Sequence, residues 1–214
     1  MLRFESRFPE EPREGAPLFV LLHGRGSDEN DLVQLAPRLP AGAMIVTPRA
    51  PHPGGPWGYG GGWAWYRYLG QNRPEEDSFR SSLEQLRSFL GGVDELLPVS
   101  PGPRVLGGFS QGGTMSLALA LNEPGRHPLV ADFSGFLPDH PDVEVRAETV
   151  AGTRFFWAHG THDAAVSFHW AEEGRRLLEQ AGADVTARDY PIGHAISPQG
   201  LQDLGRWLEV SRRP

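Results

Sequence analysis

The chain of 214 residues has no cysteine. Disulfides, thiolate metal sites and a cysteine nucleophile are therefore excluded. Lysine is missing as well, since all 20 basic residues are arginine. A heat-adapted source and a GC-rich genome would each account for this, and for the 20 prolines. No apolar stretch approaches the roughly 18 residues that a membrane span needs. The first residues, Met1-Leu2-Arg3-Phe4-Glu5-Ser6-Arg7-Phe8, lack the apolar centre of a secretory leader, so a cytoplasmic location is expected. The net charge is −7, with acids and bases scattered along the chain. That pattern supplies neither a basic stripe for nucleic acid nor a polybasic membrane patch, and no stable membrane insertion is expected. There are no internal repeats and no interdomain linker, and the length fits one domain spanning 1–214.

What the chain does have is a run of short apolar segments alternating with helical patterns. Leu18-Phe19-Val20-Leu21-Leu22 is apolar throughout and ends at His23-Gly24, as a strand buried on both faces would. A helix is expected over Leu32–Leu39, with Asp31 as its N-cap, followed by a strand over Ala43–Thr47. Pro48–Asn72 reads as a Gly/Pro-rich loop full of aromatic rings. Phe79, Leu83, Leu86, Phe89 and Leu90 give helical spacing to Glu76–Leu97, weakened by Gly91-Gly92. Strands are expected over 104–109, Leu129–Phe133, Thr153–His159 and Asp184–Tyr190. Helices are expected over 113–121, Phe168–Gln180 and Pro198–Val210. The alternation predicts an α/β fold with a mostly parallel, doubly wound sheet and helices on both faces. The segment from Phe136 to Gly152 is too short for a lid domain.

Gly108-Phe109-Ser110-Gln111-Gly112 lies at the junction of a predicted strand and a predicted helix. The G-x-S-x-G spacing suits a sharp strand-to-helix turn in which side chains at either glycine would collide and the serine hydroxyl is pushed outward. A serine hydroxyl is a poor nucleophile until a base takes its proton, and that base needs an orienting carboxylate. Asp163 follows one later strand and His194 follows the next, in the order Ser, Asp, His of α/β-hydrolases. All three loops should emerge at the carboxyl ends of parallel strands. The amides of Gln111 and Arg25 are the expected oxyanion donors.

Four segments together carry a family likeness. Leu22-His23-Gly24-x-Gly26, Gly108-Phe109-Ser110-Gln111-Gly112-Gly113, His159-Gly160-x-x-Asp163 and Tyr190-Pro191-x-Gly193-His194 resemble the acyl-protein thioesterase, lysophospholipase and carboxylesterase family of α/β-hydrolases. The resemblance runs from about Leu18 to Leu208. It implies a compact, lid-poor serine esterase without a cofactor, with Ser110 as nucleophile, His194 as base and Asp163 as orienter. It also implies Arg25 and Gln111 as oxyanion donors, and matches Trp65-Tyr66 to an aromatic segment near the acyl site, where Trp65 and Ala165 are the expected substrate contacts. Three positions depart from the family's habit. Arg25 replaces a common leucine and puts a cation at the pocket mouth. Ala165 replaces a larger aliphatic residue, and Ser167 a proline.

Competing readings attach to some of these residues. Asp132, on the strand after the elbow helix, is a rival orienter. His159, His162 and Asp163 resemble a metal cluster but lack the helical i, i+4 spacing of zinc hydrolases. His23 is expected to hold its loop by hydrogen bonds. A fold of this kind could also be a binding module without catalysis. The favoured expectation is a carboxylic ester hydrolase acting on small to medium acyl chains through an acyl-enzyme. Thioesters and lysophospholipids are the alternative substrates. The expected partner is a small-molecule ester, no metal or other cofactor is called for, and homodimerisation stays open.

Overall fold

Leu18–Leu22 forms strand β2, and every one of its residues is buried. It lies near the middle of the sheet in a computed structural model that describes residues 1–210. The other strands are β1 (Phe4–Arg7), β3 (Met44–Pro48), β4 (His52–Pro53), β5 (Trp63–Ala64), β6 (Arg104–Phe109), β7 (Leu129–Phe133), β8 (Arg154–Gly160) and β9 (Asp184–Tyr190). The α-helices are α1 (Glu76–Gly92), α2 (Gln111–Asn122), α3 (Ala147–Val150), α4 (Phe168–Gln180) and α5 (Pro198–Val210). Seven strands make one sheet in the order β1-β3-β2-β6-β7-β8-β9. All neighbours are parallel except the edge pair of β1 with β3.

Alternation along each strand sends apolar side chains to both faces. Val20, Leu22, Val46 and Leu106 pack with α1 and α2 through Phe79, Leu86, Phe89, Met115 and Leu119. Val130, Phe155 and Trp157 continue that face beneath Leu117 of α2 and Ala171 and Leu178 of α4. Phe19, Leu21, Ile45, Val105, Phe133 and Phe156 point the other way, against Leu32, Leu39, Leu201, Leu204 and Trp207. The chain leaves β2 toward this second face and leaves β6 toward the first. The strand order therefore reverses between β2 and β6, and a crevice opens above their carboxyl ends. The loops that begin at His23 and Ser110 border it.

Several local expectations are corrected. The segment after Asp31 is a 3-10 helix over Leu32–Arg38, with Pro37 inside it. Pro37 has no N–H to give and its ring crowds the preceding turn, so the stretch does not settle as an α-helix. Asp31 does not cap it, since its carboxylate accepts a bond from Ser27 Oγ at 2.8 Å. Helix α1 stops at Gly92, and a 3-10 turn carries the chain over Val93–Leu96. The 48–72 loop contains a small antiparallel pair, β4 with β5. Strand β1 escaped the sequence reading because four residues with one outward charge carry too little periodicity. Between 136 and 152 the only helix is the four-residue α3. The last four residues of the expected 1–214 unit lie outside the described residues. Among the described residues, no helix is long and apolar enough to cross a membrane.

Candidate active site

Strand β6 runs straight into Ser110, whose φ of 55° and ψ of −118° lie where L-residues are seldom found. Its amide donates to Phe133 O at 2.8 Å, and its carbonyl accepts from Thr114 N at 3.0 Å. The turn is tight because the end of β2 presses against it. A Cβ on Gly112 would sit 1.9 Å from Leu22 O, and one on Gly108 would sit 2.5 Å from the same oxygen. Only glycine fits at either place. Helix α2 starts immediately after Ser110, so the Gln111 amide has no carbonyl one turn earlier to bond.

The loop after β2 faces this turn. His23 is buried and holds the loop, with Nε2 accepting from Ala50 N at 3.0 Å and Nδ1 donating to Gly24 O at 2.8 Å. Burial lowers its pKa, so the ring is neutral, as the two bonds require. Gly26 N donates to Trp63 O at 2.8 Å and Ser27 N to Gly24 O at 3.3 Å. Among the described residues, the Arg25 amide between them makes no backbone hydrogen bond.

The third pair of loops leaves β8 and β9 and is laced together. Thr161 N donates to Tyr190 O at 2.8 Å and His162 N to Ile192 O at 3.0 Å. Gly160 permits the lacing, since a Cβ there would meet Ile192 O and Gly193 O at 2.4 Å. The result brings His194 Nδ1 to 2.7 Å from Asp163 Oδ2. The other oxygen, Oδ1, accepts from the amides of Ala165 and Val166 at 2.9 and 2.8 Å. Burial alone would raise the Asp163 pKa. The Val166 amide, the bond to and charge of His194, and the Ala165 amide together outweigh it and hold the carboxyl below its ordinary value. The His194 ring lies 4.6 Å from the Phe109 ring, centre to centre.

Ser110 and His194 open onto one cleft of about 190 Å³, together with Arg25, Gln111 and Ala165. Tyr66, Tyr68, Phe109, Phe136 and Val166 give it aromatic and apolar walls. The volume is below the about 300–1,000 Å³ common for drug-sized ligands.

The structure moves one expected substrate contact. Trp65 is fully buried and is not part of the cleft wall. Its indole N–H donates to His23 O at 2.9 Å, and its amide donates to Gln111 Oε1 at 3.1 Å. Gln111 Nε2 in turn donates to Tyr66 O at 2.9 Å. Trp65 thus braces the loop after β2 against α2, and the neighbouring Tyr66 and Tyr68 reach the cleft. The large flat ring was drawn under the loop by burial, which a motif match does not register. The Gln111 side chain was missed because the motif leaves its position open. Phe136 gave no sequence signal at all.

Asp132 lies elsewhere. Its carboxylate accepts from Gly135 N at 3.0 and 3.2 Å, and burial pushes its pKa well up. Gly113 makes room for it, since a Cβ there would be 1.7 Å from Oδ1. His159 Nε2 lies 3.0 Å from Val166 O and 3.5 Å from Asp163 Oδ2, while His162 is exposed. Among the described residues, no group of three or more His, Asp or Glu side chains is placed to hold a metal ion.

Comparison with known proteins identifies the family and the fold. The family model described as Phospholipase/Carboxylesterase matches residues 9–212. A probable carboxylesterase, SOBER1-like, of Arabidopsis thaliana is 34% identical over 140 residues, covering 64% of this chain and 53% of that protein. This chain thus spans about half the length of that relative. Acyl-protein thioesterase 1 of Cryptococcus neoformans is 30% identical, covering 94% of this chain and 93% of that protein. The solved structure of esterase PE8 superposes with a TM-score of 0.77 at 28% identity, covering 96% of this chain and 99% of that one. The fold is that of the α/β-hydrolases, and the chain belongs to the phospholipase/carboxylesterase family.

Proposed function

We propose that this protein is a serine hydrolase that cleaves carboxylic esters of small to medium acyl chains. The reading rests on one observation above the others. The imidazole that is hydrogen-bonded to Asp163 at 2.7 Å shares a cleft with a serine held at a strained strand-to-helix turn.

In this mechanism Ser110 Oγ attacks the ester carbonyl while His194 Nε2 takes its proton. Asp163 keeps the Nδ1 proton in place and stabilises the imidazolium that forms. The amides of Arg25 and Gln111 carry the charge that develops on the carbonyl oxygen. The alcohol leaves with the proton from His194, and a water activated by the same ring releases the acid. The cleft volume favours short chains, and the absence of a lid between 136 and 152 argues against dependence on a lipid interface. A cytoplasmic location and a small-molecule ester partner complete the reading, and the scattered charge argues against a nucleic-acid partner.

Thioesters are the second reading. The Cryptococcus relative, named an acyl-protein thioesterase, aligns over nearly the whole chain and favours it. A panel of para-nitrophenyl esters and matched thioesters of rising chain length tests both. A fluorophosphonate probe should label wild type and leave Ser110→Ala untouched. Labelling that survives in Ser110→Ala would remove the serine from its role.

A further inference from the structure

The cleft carries an asymmetry of charge. None of its lining residues is an aspartate or glutamate, and Arg25 is its one permanent cation. Most ion pairs among the described residues tie an arginine to a carboxylate, and Arg25 takes part in none of them. Its guanidinium rests instead on two rings, 4.7 Å from the centre of Tyr59 and 5.9 Å from that of Tyr68. Stacking of this kind engages a face of the guanidinium and leaves its in-plane N–H donors free.

The platform is itself fixed. Tyr68 N donates to Tyr59 Oη at 2.7 Å, and the Tyr68 hydroxyl is bonded to Gln71 O. The Tyr59 carbonyl packs so closely on the loop after β2 that a Cβ on Gly26 would lie 2.7 Å from it. The guanidinium and the amide that faces the reacting oxygen belong to one residue. The charge can stand no further from the scissile carbonyl than one arginine side chain reaches.

We propose that Arg25 is a specificity-determining residue that recognises a carboxylate on the substrate. The preferred esters of this site are then carboxylate-bearing esters, either half-esters of dicarboxylic acids or esters of hydroxy acids. Planar N–H pairs match a carboxylate, and bonding to a charged group is among the stronger hydrogen-bond types. The net charge of −7 repels anions at long range, so any preference for them must come from a local cation. The inference rests on the hydrolase reading above.

The test uses two pairs of esters, each corrected for alkaline hydrolysis. On the acyl side, mono-para-nitrophenyl adipate is compared with para-nitrophenyl hexanoate. On the alcohol side, para-acetoxybenzoate is compared with para-tolyl acetate. In at least one pair the charged member should have the higher kcat/KM, by about tenfold, the scale of one charge-assisted bonded pair. Arg25→Ala and Arg25→Gln should bring that ratio to about one, with Arg25→Lys between, because removing the cation removes the attraction. Taking the ratio within each variant cancels any change in the oxyanion loop. Raising the salt toward about 1 M should shrink the wild-type ratio. A ratio of one or below in both pairs, or a ratio unchanged in Arg25→Ala, overturns the proposal. If the neutral esters are not turned over and the fluorophosphonate does not react, the hydrolase reading itself has failed.

Discussion

Replacing Asp163 by asparagine should cost about 10⁴ in kcat, the loss seen when a triad orienter can no longer hold the base in the right tautomer. The structure shows why the loss should be so large for so small a change. Oδ1 accepts two backbone amides, from Ala165 and Val166, so in the variant the amide oxygen is held there. The new NH₂ group must then face His194 Nδ1, where a carboxylate oxygen now sits at 2.7 Å. Two donors cannot share that bond, so the imidazole moves its proton to Nε2 and turns Nδ1 into an acceptor. Nε2, the nitrogen that the proposed mechanism uses to take the Ser110 proton, then carries a hydrogen and cannot take another. At about 1.36 kcal/mol per tenfold, the loss amounts to roughly 5.4 kcal/mol of transition-state stabilisation. The assay is kcat on a short para-nitrophenyl ester, with melting temperature measured beside it to show that the variant is folded. Asp132→Asn is the control, since among the described residues its carboxylate accepts a hydrogen bond from the Gly135 amide alone. A loss below tenfold in Asp163→Asn, or a larger loss in Asp132→Asn, would refute the reasoning.

Two further outcomes follow from the same geometry. Gln111→Ala keeps the backbone amide but strips the partners from Trp65 N and Tyr66 O, each worth about 1–3 kcal/mol when buried and unpaired. Thermal melting should show the loss, and kcat should fall with it as the brace loosens; an unchanged melting temperature would contradict the brace. Stability should also decline as the pH falls below about 6.5, because burial lowers the pKa of His23, His127, His140 and His159 in the folded chain. The unfolded chain binds those protons first, so this stability is full above the unfolded value and is lost as the pH drops through the folded ones. A second loss should follow below the ordinary carboxylate value of 3.8, where Asp163, Asp142 and Asp203 stay ionised only in the fold. Chemical denaturation across about pH 2 to 8 checks both, and a flat profile between about pH 5 and 7 would count against the buried neutral histidines.

Much of this molecule could be read from its residues because its central strands are buried on both faces. Such strands leave continuous apolar runs, as at Leu18–Leu22 and Phe155–Ala158, and their ends mark where loops must gather. The elbow was legible for a steric reason, since Gly108 and Gly112 are demanded by the Leu22 carbonyl. What stayed hidden has no periodic signature. Strand β1 is a four-residue edge, and the aromatic run from Trp57 to Tyr68 has glycines that allow many paths. Nothing along that run tells which ring is buried as a brace and which faces the cleft. Only tertiary packing sends Trp65 beneath the loop and Tyr66 and Tyr68 to the wall. The Arg25 cation was legible as a residue, but its tyrosine platform is assembled from positions 34 and 43 residues further on.

The backbone at residue 110 is uphill by about 1–3 kcal/mol for any side-chain-bearing residue. A glycine would take the same φ and ψ without that cost. A laboratory selection rewarded only for surviving heat would therefore favour losing the hydroxyl, which the proposed mechanism needs for turnover. Any campaign to toughen this protein should screen for reaction rate from its first round.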